Sequence, residues 1–164
     1  MLRRDSSSDE QIKNSLYGQF TLRDAISLSP FQNSINQMMI QMAQEQMTSK
    51  LRSIHIACLI DNRGRLLCTS DNYQAYHHRT SPKKTRMCAE AAVFRDILKI
   101  SRTKKERHRI KKDIHKMTIM VIRVKNGLLR NSEPCYYCQL LKKKFGMSII
   151  FPFEYEGNIY YTKI

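Results

Sequence analysis

The strongest helical periodicity in the chain follows Ser29. Phe31, Ile35, Met38, Met39 and Met42 recur at helical spacing, which predicts a helix with those residues on its buried face. Ser29 supplies the cap and Pro30 the first helical position. The Met stripe is read as packing on the protein's own sheet rather than as a partner groove. Ser53 to Ile60, the turn Asp61-Asn62-Arg63-Gly64 and the run Arg65 to Thr69 predict an antiparallel hairpin. Ser70 to Arg86 is polar, carries Asn72, Tyr73, Tyr76, His77 and His78, and is expected to wall a site. A helix with a broad apolar face should follow over Ala89 to Leu98. Lys116 to Val124 predicts a buried strand, followed by a turn at Asn126-Gly127 and a loop that delivers Pro134.

The chain ends in two apolar, β-rich runs, Met147 to Phe153 and Ile159 to Ile164, separated by Glu154-Tyr155-Glu156-Gly157-Asn158. Parallel strands need a crossover of about a dozen residues or more. So short a link containing Gly-Asn permits only a hairpin, and the last two strands should be antiparallel. Residues 1–28 are polar and read as a flexible N-terminal tail, leaving 29–164 as one domain.

Composition narrows the class. Five cysteines in 164 residues argue for a reducing compartment rather than a disulfide framework. No stretch approaches the roughly eighteen apolar residues that span a bilayer, and the N-terminus has no apolar signal core. An intracellular protein, in cytoplasm or nucleus and without a membrane partner, is the expectation. The net charge is +15, and nine of the eighteen residues from Lys99 to Lys116 are Lys or Arg, Lys104, Lys105, Lys111 and Lys112 among them. Lys142-Lys143-Lys144 forms a second cluster. Such runs attract phosphates, and Tyr73, Tyr76, Tyr136 and Tyr137 could stack on bases. A solvated basic face is the plainer alternative.

The candidate chemistry lies in Cys88-Ala89-Glu90 and Glu133-Pro134-Cys135-Tyr136-Tyr137-Cys138. Cys88 and Glu90 fall at the start of one predicted helix. Pro134 is expected to open another, with Cys135 and Cys138 on one of its faces. Helix N-termini favour thiolates. Three protein ligands on Zn²⁺ leave the fourth tetrahedral position open, which distinguishes a catalytic site from a closed structural one. Glu90 is then placed to move protons. A structural zinc module is the alternative; it needs a fourth ligand, for which Cys68, His77 and His78 are available. Cys58, in an apolar run, reads as a buried core thiol.

In order and spacing these motifs resemble the cytidine deaminase superfamily over roughly Ile54 to Ile164. The resemblance implies an α/β protein, a three-layer α/β/α fold with a five-stranded mixed sheet. It implies zinc on Cys88, Cys135 and Cys138, with Glu90 as proton shuttle. It further implies Asn72 at a sugar hydroxyl, the Ala89 backbone at the pyrimidine edge and the Glu133 carbonyl at the amino group. Three Cys ligands are similar to the small tetrameric cytidine deaminases, which leaves a homo-oligomer open, and to the blasticidin-type enzymes. Glu-Pro-Cys is similar to the tRNA adenosine deaminases, and the antiparallel ending to the free-nucleoside enzymes. The tetrameric family commonly carries an Arg after the Glu to offset the thiolate charge. Here that position is Ala91, and Arg86 or Arg95 is expected to substitute. The implied function is zinc-dependent deamination of cytosine to uracil in a nucleoside, a nucleotide or a single strand. The alternative is a zinc-stabilised nucleic-acid-binding protein without activity.

Overall fold

Ser29 opens the first helix as the sequence predicts. Its hydroxyl accepts from the Gln32 N–H at 3.1 Å while the Gln32 side chain accepts from the Ser29 N–H at 3.0 Å. In this computed structural model, which describes residues 20–49, 51–72, 88–100 and 103–164 (without the side chains of Leu98 and Ile100), the helix α1 spans Pro30–Gln46. Its buried line is Ile35, Met39 and Ala43. Met38 and Met42 are half-buried, and Phe31 is exposed beside Gly64 of the following hairpin turn. The first turn of α1 therefore overhangs the hairpin rather than the core, and the predicted stripe was too wide there.

The strands are β1 (Ser53–Ile60), β2 (Leu66–Asp71), β3 (Thr118–Lys125), β4 (Leu128–Arg130), β5 (Ser148–Tyr155) and β6 (Asn158–Lys163). They form one mixed sheet in the order β2-β1-β3-β5-β6, with β4 paired to β3. Among the described strands only the β3–β5 pair is parallel. Six strands form where five are predicted, because Asn126 and Gly127 both take positive φ (52° and 78°). That is the backbone of a two-residue hairpin turn, and it folds Leu128–Arg130 back onto β3. Glu156 and Gly157 do the same between β5 and β6, which pair antiparallel as the chain's ending predicts.

Three further α-helices are described, α2 (Ala89–Ile100), α3 (Lys104–Asp113) and α4 (Tyr136–Phe145). Strand alternation sorts the core into two faces. Ile54, Ile56, Cys58 and Ile60 of β1 join Met120, Ile122 and Ile150 beneath α1. Ala57, Leu59, Ile119, Val121, Ile149 and Phe151 pack on the other face against α2, through Val93, Phe94 and Ile97, and against α4 through Leu141 and Phe145. The result is a three-layer α/β/α arrangement. Cys58 is fully buried, as a core thiol should be, and burial pushes its pKa up to about 12.

Within the segment expected to be a tail, residues 20–28 lie on the sheet. Phe20 meets Phe151 edge-on at 5.3 Å between ring centres, and the Ile26 N–H donates to the Tyr161 carbonyl at 2.8 Å. One aromatic ring with an apolar partner outweighs the polarity of its neighbours. No described helix is long and apolar enough to cross a membrane.

Candidate metal and catalytic site

Two helix starts build the site. Cys88 immediately precedes α2, and its carbonyl accepts from the Ala92 N–H at 3.0 Å. Two contacts seat α2 on β2: the Cys68 thiol donates to the Val93 carbonyl at 3.7 Å, and Ser70 donates to Asp96. Cys135, with extended backbone, caps α4, so that helix begins at Tyr136 rather than at Pro134. The Pro134 carbonyl instead accepts from the Gln139 side chain at 2.9 Å, while the Ser132 N–H ties the preceding loop to the Pro152 carbonyl of β5 at 2.9 Å. The parallel β3–β5 crossover carries α4, which puts its N-terminus near the carboxyl end of β3.

These anchors gather the Cys88, Cys135 and Cys138 sulfurs within 4.8 Å of one another. Cys135 Sγ stands 3.4 Å from Cys88 Sγ and 3.5 Å from Cys138 Sγ. Sulfurs bonded at about 2.3 Å to one tetrahedral zinc lie about 3.8 Å apart, so an ion fits once the triangle opens by a few tenths of an ångström. Hydrogen bonding among the three sulfurs holds Cys135 far below the usual thiol range and pushes Cys88 and Cys138 upward. Among the described residues no fourth His, Cys, Asp or Glu joins it. Cys68 is occupied at Val93, and burial pushes its pKa up to about 12. His77 and His78 lie outside the described residues, as do Tyr73, Tyr76 and Arg86.

Glu90, 6% exposed, sits in the first turn of α2 and lines a cavity of about 470 Å³ together with Cys88 and Cys135. Burial raises its carboxyl pKa to about 7, with the negative charge of Cys135 adding to the effect. A carboxyl poised near neutrality can both take and give a proton.

Of the expected substrate contacts, Asn72, Ala89 and Glu133 all line this cavity. The Asn72 side-chain oxygen accepts from the His55 N–H at 3.1 Å, leaving its NH₂ for other partners. The Glu133 N–H donates to the Asn131 side chain at 3.0 Å. Tyr136 is half-exposed and opens on a neighbouring groove instead. Lys104, Lys105, Lys111 and Lys112 are exposed on α3, and none of them lines the cavity. Of the two expected cations, Arg86 lies outside the described residues, and Arg95 pairs with Asp96 at 3.1 Å and is not among the residues that line the cavity, which include Arg123. His55, Asn131 and Ser132 are further lining residues that sequence reasoning missed. His55 and Arg123 had left a signal, since each interrupts the apolar alternation of a core strand on the face that carries both metal helices.

No family model matches the sequence, and no curated protein matches it. Among solved structures the chain is similar to a cytidine deaminase from Burkholderia pseudomallei, with 14% identity over 76% of this chain and 87% of that one, at a TM-score of 0.45. So slight a likeness has no bearing on activity. What the fold and site define is an α/β protein with a three-thiol cluster, able to hold a metal ion, beside a buried carboxyl.

Proposed function

We propose that this chain is a zinc-dependent hydrolase that deaminates cytosine to uracil. The observation that carries the reading is the meeting of three sulfurs, from two helix starts, with the buried Glu90 carboxyl at one cavity. A structural zinc site has no use for a carboxyl there.

Zinc held by Cys88, Cys135 and Cys138 supplies Lewis acidity that makes hydroxide available near neutral pH. Glu90 takes the proton from the attacking water and passes it to the ring nitrogen beside C4. It then takes the proton of the new C4 hydroxyl and delivers it to the C4 amino group, which leaves as ammonia while the C4 carbonyl forms. The NH₂ of Asn72 is suited to a sugar hydroxyl, and the Ala89 and Glu133 backbone groups to the cytosine edge.

A second reading, a non-catalytic zinc-stabilised nucleic-acid-binding protein, draws support from α3, whose basic side chains are all exposed. The deciding experiment incubates the zinc-loaded protein with cytidine, deoxycytidine, their monophosphates, single-stranded DNA and RNA, and assays uracil. Turnover that Glu90→Gln abolishes supports the deaminase. Strand binding without uracil from any substrate favours the second reading.

A further inference from the structure

Three sulfurs meet at the site, but the backbone sets them apart. Cys135 caps α4 with extended backbone (φ −66°, ψ 164°), whereas Cys138, 3% exposed, lies inside the first turn of that helix. The two sulfurs are 3.5 Å apart, so a disulfide of about 2.05 Å needs that gap to close by about 1.5 Å. Cys135 can supply the movement. As a cap residue it has no preceding helical turn to restrict its χ1. The alternative link, Cys88 to Cys135, starts from a similar 3.4 Å but joins two helices. Its closure would pull α2 toward α4, against the Cys68–Val93 and Ser70–Asp96 contacts that seat α2 on β2. Closing Cys135 onto Cys138 moves one side chain at a helix cap and leaves Leu141 and Phe145 packed in the core.

Access follows the same order. Cys88 and Cys135 line the cavity of about 470 Å³, and Cys138 is not among its lining residues. A reagent that enters the cavity therefore reaches Cys135, with Cys138 behind it as the resolving thiol. Thiol–disulfide exchange with glutathione disulfide supplies a balanced route. The Cys135 sulfur attacks one glutathione sulfur, the S–S bond breaks, and the first glutathione leaves as a thiol carrying the Cys135 proton. The Cys138 sulfur then attacks Cys135, and the second glutathione leaves with the Cys138 proton. Two protein thiols are oxidised and one small disulfide is reduced. Zinc takes its cysteine ligands as thiolates, and the disulfide leaves the trio with only Cys88.

We infer that Cys135 and Cys138 form a reversible disulfide that excludes zinc, so that the thiol–disulfide balance of the surroundings sets whether the site is loaded. This rests on the zinc reading of the three sulfurs and adds its regulation. Metal and disulfide compete for the same two side chains. Each therefore opposes the other by the same factor, as linkage requires.

The test needs no variant. The metal-free protein is equilibrated in mixtures of reduced and oxidised glutathione, quenched with acid, and its disulfide located by peptide mass mapping. The link is expected between Cys135 and Cys138. Its equilibrium constant should be at least about tenfold higher than in the urea-unfolded chain, because the fold holds the two sulfurs together. Free zinc buffered at about a hundred times its dissociation constant should lower the apparent constant about a hundredfold, since the metal binds the dithiol and not the disulfide. Dithiothreitol should then restore zinc binding in full. A link through Cys88, a constant no higher than in the unfolded chain, or a constant that zinc does not move overturns the inference. A constant that zinc does move, with no uracil from the reduced, zinc-loaded protein, keeps the switch and removes the deaminase. Uracil formation together with a constant that zinc leaves unmoved does the reverse.

Discussion

Glu90→Gln separates chemistry from scaffold. The side chain is 6% exposed, and the amide has nearly its volume, so no cavity opens and the packing cost stays below about 1 kcal/mol. Glu90 forms no ion pair among the described residues, and burial already disfavours its charged form, with the carboxyl pushed up to about 7. The neutral amide therefore leaves no cation stranded. A domain of this length moves its Tm by about 2–4 °C per kcal/mol, so the melting temperature should shift by less than about 4 °C. Zinc content should not change, because the three sulfurs are untouched. Turnover, by contrast, loses its proton carrier and should fall by about 10²–10⁴-fold. That corresponds to about 3–5 kcal/mol of barrier. Uracil formation, zinc titration and thermal melting on one preparation read all three. Turnover within tenfold of the parent removes Glu90 from the mechanism. Loss of zinc with collapse of the melting transition makes Glu90 structural.

Replacing Cys88, Cys135 or Cys138 by Ala should lower zinc content and melting temperature together, since energy of metal binding is also energy of folding. X-ray absorption of the zinc-loaded parent should fit three sulfurs and one lighter atom; four sulfurs would sink the catalytic reading. If α3 tracks a phosphate backbone, changing Lys104, Lys105, Lys111 and Lys112 to Gln should flatten the salt dependence of single-strand binding, by about 0.7 in log–log slope per phosphate lost. An unchanged slope and affinity would mean that these lysines form only a solvated face. Phe151, fully buried and stacked edge-on by Phe20, should cost about 3–5 kcal/mol in denaturant unfolding when changed to Ala. A loss below about 1 kcal/mol would contradict its place in the core. Cys58, buried and with its pKa pushed up to about 12, should resist thiol reagents at pH 8 until the protein unfolds. Native-state labelling of Cys58 would contradict that burial.

Features encoded by near neighbours were legible in the sequence. Ser29 and Pro30 mark the start of α1, and the β1 bounds at Ser53 and Ile60 match the predicted run. The short link before β6 dictates an antiparallel end, and the motif spacings place Cys88, Glu90, Cys135 and Cys138 at helix starts. Each of these depends on φ preferences, capping and spacing over a handful of residues. The positive φ at Asn126 was available on the same terms, but whether its return strand would pair depended on the free edge that β3 presents beyond β5. Phe20 resembles any aromatic in a polar segment until Phe151 and Phe153 are there to receive it. Arg123 and His55 are far apart along the chain and meet because β1 and β3 pair in one antiparallel register. That register follows from burying two apolar faces at once, one under α1 and one under α2 and α4, and a slip of one residue would turn every side chain to the wrong face. Local chemistry could therefore name the sulfurs and the carboxyl, but which cation shares their cavity was decided by the long-range pairing of the sheet.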